Sequence, residues 1–222
     1  MTKNWWKWLG SVLVIYSLIA GLLWDVPHLP ILHESIRNLY FHVPMWFTMI
    51  VLYLIAVLYS IKYLRSGNEK YDLVAVESVN TGIVFGFLGI LTGMIWGNYT
   101  WGSPWPNDPK LNGAAITTLV YLAYIVLRNA IDEEQKKARI SAIYNIFAFP
   151  VMIVLLFILP RLTDSLHPGN GGNPGFGRYD LDRNMRLVFY PACIGWILVG
   201  VWIATLRYRI RLIETILTAH KS

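Results

Sequence analysis

Six long apolar blocks dominate this chain of 222 residues, and they constrain its fold more than any other feature. A helix that crosses a membrane needs roughly 20 mainly apolar residues, and each block reaches or approaches that length. Only 14% of the residues are charged, whereas soluble domains carry about a quarter. The sequence therefore predicts an all-α, polytopic membrane helix bundle with six transmembrane helices. The predicted helices cover about residues 8–24, 43–64, 79–96, 113–127, 140–159 and 187–206.

The basic residues between the blocks predict how the bundle is oriented. With the N-terminus inside, 13 Lys and Arg residues fall on the cytoplasmic side and six on the outer side. Cytoplasmic loops of membrane proteins carry such an excess of positive charge. We therefore expect both termini in the cytoplasm and the functional loops on the outer, periplasmic side. The net charge of +6 is explained in this way, so no nucleic-acid partner is expected.

Several function classes are excluded by what the sequence lacks. Cys193 is the only cysteine, so the chain has neither an internal disulfide nor the C-x-x-C and C-x-x-C-H motifs of thiol oxidoreductases and c-type cytochromes. No Walker A motif is present, and no nucleophile–base pair is evident. The loops are too short for a separate soluble domain. The sequence thus favours a single membrane domain, 1–222, that binds rather than catalyses.

The predicted topology places four of the five histidines in outer loops or at their rims. His42 precedes the second block, where Pro44 fits the first turn of the predicted helix, and His167 lies between the fifth and sixth blocks. Two imidazoles from separate outer loops could bind one metal ion from opposite sides. The alternative is that both are ordinary interfacial residues, which is our interpretation of His28 and His33.

The stretch 96–112, between the third and fourth blocks, combines tryptophans with glycines and prolines that disfavour a regular helix. Its three tryptophans are Trp96, Trp101 and Trp105. Flat indoles on a rigid, non-helical loop would suit a flat apolar ligand, with Asp108 and Lys110 as polar groups. The alternative is an aromatic belt at the membrane surface, although that does not explain the prolines or Asp108.

Four glycines recur within the third block at spacings of four, three and four residues. They are Gly82, Gly86, Gly89 and Gly93. Small residues on one face of a membrane helix let a second helix approach closely, which is our main interpretation. The same flat face could instead form the wall of a pocket.

Three segments resemble motifs of the haem-handling membrane proteins that carry a tryptophan-rich WWD loop. Within that group the chain is most similar to the haem exporter protein C, or cytochrome c maturation protein C, family. Residues 35–44 resemble the segment of the first axial histidine, 101–111 the pattern W-G-x-W-W-x-W-D-x-R-L, and 166–167 the segment of the second. The chain departs from the pattern at Asn107, which replaces a tryptophan, and at Lys110, which replaces an arginine.

The resemblance implies that the chain binds haem b at the outer face of the membrane. It implies two histidines as axial ligands, which are His42 and His167 at the matching positions. With haem there, we expect Trp96, Trp101 and Trp105 to pack on the porphyrin and Asp108 to orient the loop or the chaperone. Carboxylates near an interface favour arginine, so Arg37 is the leading candidate for a propionate partner, followed by Lys110 and Arg178. The protein would supply binding and orientation, and the chemistry would belong to the cofactor.

By the same resemblance, haem is presented to a periplasmic haem chaperone for cytochrome c-type biogenesis. The expected partners are an ABC-type ATP-binding subunit, a second membrane subunit and a small single-span subunit, all at the cytoplasmic (inner) membrane. Two alternatives remain open from the sequence. One is a small-molecule or haem transporter subunit, and the other is the haem lyase subunit of the other cytochrome c assembly route.

Overall fold

The computed structural model describes residues 4–167 and 181–219, and within these ranges the chain is helical without strands. A 3₁₀ turn, His33–Asn38, leads into the second helix, and a π-helical turn, Val154–Ile158, continues the fifth. The α-helices are α1 (Trp5–Leu23), α2 (Leu39–Ser66), α3 (Glu69–Trp101), α4 (Pro109–Asn129), α5 (Glu134–Ile153), α6 (Leu159–Leu162) and α7 (Arg183–Ala219).

The prediction of six membrane-spanning helices is confirmed. Six helices are long and apolar enough to cross a membrane, with α5, the π-helical turn and α6 acting as one span, Glu134–Leu162. Several helices extend beyond their predicted ends. The prediction followed the apolar residues, whereas the helices continue into polar residues outside the apolar blocks. The placement of Pro44 in the first helical turn was wrong, since α2 already begins at Leu39.

The helix ends carry the residues that favour a start or a stop. Gly67 and Gly102 end α2 and α3 with positive φ angles of 66° and 73°, a conformation that glycine adopts without steric cost. The side chains of Asn68 and Asp108 accept hydrogen bonds from the first backbone N–H groups of α3 and α4. Pro109 then occupies the first turn of α4, where a missing N–H costs nothing.

The glycine face of α3 packs against α2. A Cβ atom would meet Tyr53 at Gly82, Met49 at Gly86, Trp46 at Gly89 and His42 at Gly93. Each glycine thus makes room for one large side chain of the antiparallel helix, which confirms the interpretation as close helix packing. Gly89 and Gly93 also line a cavity, so the second interpretation holds for the last turns of α3.

Three buried clusters lie in the described part of the bundle, and the two with the most members stabilise the greater part of it. The larger lies between α2, α3, α4 and α5, where Met49, Leu52 and Tyr121 are fully buried. The smaller lies at the end of the bundle where α2 begins and α3 ends, and includes Tyr40 and Phe189. Apolar side chains also cover much of the outer surface, as expected for helices that face lipid.

Candidate functional site

A cavity of about 760 Å³ lies at the end of the bundle that carries the 3₁₀ turn, the α3–α4 loop and the segment after α6. Its volume falls within the usual range for small-molecule sites, about 300–1,000 Å³. Most of the lining side chains are aliphatic or aromatic. The polar exceptions include His42, Lys110, His167 and Asp182, so the cavity combines apolar walls with a few polar groups.

His42 lies in the first turns of α2 and is buried. Its Nδ1 atom is 3.1 Å from Thr92 Oγ1, and the Thr92 hydroxyl donates to the backbone oxygen of Leu88 at 2.7 Å. Because the hydroxyl proton is used in that bond, Thr92 accepts a hydrogen bond from Nδ1–H. This hydrogen bond assigns the proton to Nδ1 and the lone pair to Nε2, and an imidazole in this tautomer can bind a metal through Nε2.

The His42 ring packs against the backbone of α3 at Gly93, which has no side chain to block it. A Cβ atom at Gly93 would lie 2.8 Å from His42 Cε1, which is closer than packed side chains tolerate. The indoles of Trp46 and Trp96 meet the imidazole edge-on, with ring centroids 6.2 and 5.9 Å away. The orientation of His42 thus depends on residues of both α2 and α3.

His167 stands at the end of the described segment that follows α6. Its Nδ1 atom lies 3.0 Å from Asp108 Oδ1, so a neutral His167 donates through Nδ1–H and keeps its lone pair on Nε2. The Trp101 ring meets the imidazole edge-on at a centroid distance of 5.0 Å. His167 and His42 therefore line one cavity with the same ring nitrogen available.

Asp108 joins the start of α4 to the segment that carries His167. Its side chain has no exposed surface. It accepts hydrogen bonds from the backbone N–H groups of Lys110, Leu111 and Leu166 and from the side chains of Ser165 and His167. Burial alone would raise the pKa of Asp108, but the hydrogen bonds from His167, Leu166 and Ser165 outweigh it, so the pKa lies well below its ordinary value.

The tryptophan-rich stretch differs from the prediction of a non-helical loop over 96–112. Helix α3 continues to Trp101, so only residues 102–108 connect it to α4. Trp96 donates its indole N–H to Ser35 Oγ at 3.2 Å, and Trp105 donates to Asn112 Oδ1 at 3.2 Å. All three tryptophans still line the cavity, because both the last turns of α3 and the loop that follows them border it.

Of the three predicted propionate partners, only Lys110 lines the cavity within the described residues. Arg37 pairs with Glu34 at 2.6 Å and donates to the backbone oxygens of Gly21 and Trp24. It therefore caps the end of α1, where helical carbonyl groups lack partners, and this place argues against a role towards the ligand. Arg178 lies outside the described residues.

His28 and His33 are exposed and do not line the cavity.

Thr92 was missed by the sequence analysis, although this residue lies three positions after Gly89 and next to Gly93 on α3. Pairing the glycine face of α3 with α2 in an antiparallel hairpin would have placed Thr92 opposite His42.

The donor set fits haem better than a bare metal ion. Among the described residues, no group of three or more His, Cys, Asp or Glu side chains could hold a metal ion. Two imidazoles in an apolar cavity with three indoles instead match the needs of a porphyrin with two axial ligands. Lys110 adds a positive charge for a carboxylate.

Comparison with known proteins agrees with this chemistry. The profile of a family described as "Heme exporter protein C" matches residues 1–221. The chain belongs to the haem exporter protein C family. Together with the six apolar helices, this membership indicates a multi-pass membrane protein.

Several relatives carry the same name. "Heme exporter protein C" of Haemophilus influenzae is 25% identical over 221 residues, which are 93% of this chain and 84% of that protein. The protein of that name from Rhodobacter capsulatus is 25% identical over 166 residues, or 73% of this chain and 68% of that protein. These alignments cover most of both chains.

A second group of relatives is similar over a shorter stretch. "Cytochrome c biogenesis protein CcsA" of Pelargonium hortorum is 34% identical over 110 residues, which are 49% of this chain but 34% of that protein. The alignment therefore spans about a third of that longer protein. The similarity indicates shared ancestry of one part, rather than equivalence of the whole.

Proposed function

We propose that this chain binds haem b at the outer face of the inner membrane and presents it to a periplasmic haem chaperone during cytochrome c biogenesis. One observation carries the proposal. His42 and His167, which are far apart in sequence, line the same apolar cavity with Nδ1 hydrogen-bonded and Nε2 available. Haem, when bound, supplies the iron and the flat ring that these residues suit.

The other cavity residues have separate roles in this proposal. Trp96, Trp101 and Trp105 pack against the porphyrin, and Lys110 attracts a propionate. Asp108 keeps His167 in position, because it holds the backbone of that segment as well as the imidazole. The chain therefore binds and orients the ligand, while no group here is required to transfer a proton.

The direct test is the absorption spectrum of the detergent-purified protein, with extraction of the pigment to identify haem b. His42→Ala and His167→Ala should each shift the Soret band or lose haem, because one axial ligand is gone. His28→Ala is the matched control, since this exposed histidine lies outside the cavity lining, and should resemble the wild type. Identical spectra for all four proteins would exclude the assigned ligands.

The partners proposed here follow from family membership. The chaperone would approach the cavity end, and the ATP-binding subunit would act from the opposite, cytoplasmic end together with the second membrane subunit and the small single-span subunit. Co-purification tests this arrangement. Chaperone capture should depend on haem and on His42 and His167, whereas capture of the ATP-binding subunit should not.

A transport path through this chain has less support. In the described residues, the buried carboxylates of Asp72 and Glu77 pair with Arg128 and with the half-exposed Arg207 at the end opposite the cavity. Ionisable residues along the middle of the bundle would mark a path, and these pairs do not extend there. Haem flux into vesicles that contain the purified chain alone should therefore remain at the background rate.

A further inference from the structure

The two cavity histidines differ in the group that accepts their Nδ1–H. His42 donates to the hydroxyl of Thr92 at 3.1 Å, and His167 donates to the carboxylate of Asp108 at 3.0 Å. The two distances are nearly equal. The difference is therefore one of charge, since a hydroxyl is neutral and the carboxylate of Asp108 is an anion.

The charge of Asp108 is well established by its contacts. Four donors besides His167 reach its two oxygens, at distances between 2.6 and 3.3 Å. Two of them, the N–H groups of Lys110 and Leu111, lie at the N-terminus of α4, which favours a negative charge. The carboxylate is thus fixed in place and ionised beside His167.

The partner of the second ring nitrogen determines how strongly an imidazole binds a metal. A carboxylate acceptor raises the basicity of the ligating nitrogen, and such partners change metal affinity by about 10- to 100-fold. A hydroxyl acceptor, which is itself used as a donor to Leu88 O, polarises the imidazole less. His167 should therefore be the stronger donor of the pair.

We propose that His167 is the retained ligand and His42 the exchangeable one; this inference rests on the function proposed above. If an incoming ligand replaced His42, Nε2 of His42 would regain its lone pair and a donor atom of the incoming ligand would take its place on the iron. The oxidation state of the iron does not change. Asp108 and Thr92 are positioning residues that set this order.

Resonance Raman spectroscopy of the reduced, haem-loaded protein can identify the retained histidine. Carbon monoxide displaces the weaker axial ligand, and photolysis then exposes the iron–histidine stretching band of the histidine that stayed. The wild-type band should coincide with that of His42→Ala and differ from that of His167→Ala. A wild-type band that coincides with that of His167→Ala would overturn the proposed order.

Two further variants connect the band to the hydrogen-bond partners. With both histidines present, Asp108→Asn should lower the iron–histidine stretching frequency, because the group that accepts Nδ1–H of His167 loses its charge. Thr92→Val should leave this frequency unchanged. The opposite pattern would contradict the proposal. Both substitutions change polarity with little change in side-chain volume. A shift in both variants would therefore indicate a general change of structure rather than the loss of one hydrogen-bond partner.

The rate at which haem passes to excess apomyoglobin gives an independent test. His167→Ala should lose haem about tenfold faster than His42→Ala, since it retains only the weaker donor. Equal rates, or faster loss from His42→Ala, would overturn the order of the ligands while leaving the haem site intact. A wild-type protein that binds no haem would instead overturn the proposed function itself.

Discussion

At the scale of single residues, Asp108 connects more of the site than any other side chain described. It caps α4 and holds Ser165, Leu166 and His167 through one carboxylate. An uncharged replacement would leave several of these buried donors without an acceptor. The position of His167 therefore depends on a residue 59 positions away in the chain.

Asp108→Asn should lower the free energy of unfolding by about 1–3 kcal/mol. Because the folded-state pKa of Asp108 is depressed, its contribution is complete above the unfolded value of about 4 and is lost progressively as the pH falls from there through the folded value. The difference in unfolding temperature between wild type and variant should thus not shrink between about pH 7 and pH 4. A difference that disappears within this range would contradict the assigned role.

Substitutions of Arg37 and Lys110 should have different effects, one on the free energy of unfolding and the other on haem binding. Arg37→Met removes the cap of α1, so it should cost about 1–2 kcal/mol of unfolding free energy but leave the haem spectrum unchanged. Lys110→Met should instead weaken haem binding by about tenfold through loss of a charged partner. Haem titration and thermal unfolding of both variants check this, and weaker haem binding by Arg37→Met would restore its role as a propionate partner.

At the scale of elements, the α2–α3 hairpin determines where His42 lies. The glycines of α3 are spaced so that each receives one large side chain of α2, and the last of these side chains belongs to His42. The same contact that packs two helices therefore also orients a candidate ligand. Substitution along this face should have different effects at its two ends.

Gly93→Ala and Gly82→Ala form a matched pair for this prediction. Both add a methyl group closer than 3.0 Å to an α2 side chain, His42 in one case and Tyr53 in the other. Each should cost about 1–3 kcal/mol through overpacking. Only Gly93→Ala should also change the haem spectrum, since it displaces the imidazole. A spectrum altered equally in both variants would indicate a general distortion of the hairpin.

At the scale of the whole molecule, the two ends of the bundle differ in chemistry. One end carries the cavity with its histidines and indoles, and the other carries the ion pairs Asp72–Arg128 and Glu77–Arg207. The excess of basic residues at the second end predicts that it faces the cytoplasm.

Thiol labelling in intact cells tests this orientation. Asn107→Cys and Asn129→Cys place a thiol at exposed positions of opposite ends, while the native Cys193 is buried. A membrane-impermeant reagent should label Asn107→Cys in intact cells and Asn129→Cys only after the membrane is permeabilised. The reverse pattern would place the cavity on the cytoplasmic side.

The structure brings together residues that the sequence separated and disperses some that it grouped. His42, His167 and the three tryptophans were predicted as one site, and they do line one cavity. Arg37 was grouped with them but caps α1, and Thr92 was missed although it contacts His42. The predicted loop over 96–112 was too long, because residues 96–101 belong to α3 and residues 109–112 to α4.

The sequence alone determined the number of spans, the helical class and the family. In a bilayer the backbone must satisfy its hydrogen bonds within each segment, so length and apolarity suffice to identify a helix. Only the tertiary structure decided which groups accept hydrogen bonds from His42 and His167, and that Arg37 turns towards α1. Those contacts join residues on different elements, and they depend on how each helix is rotated and shifted against its neighbour, which no local pattern specifies.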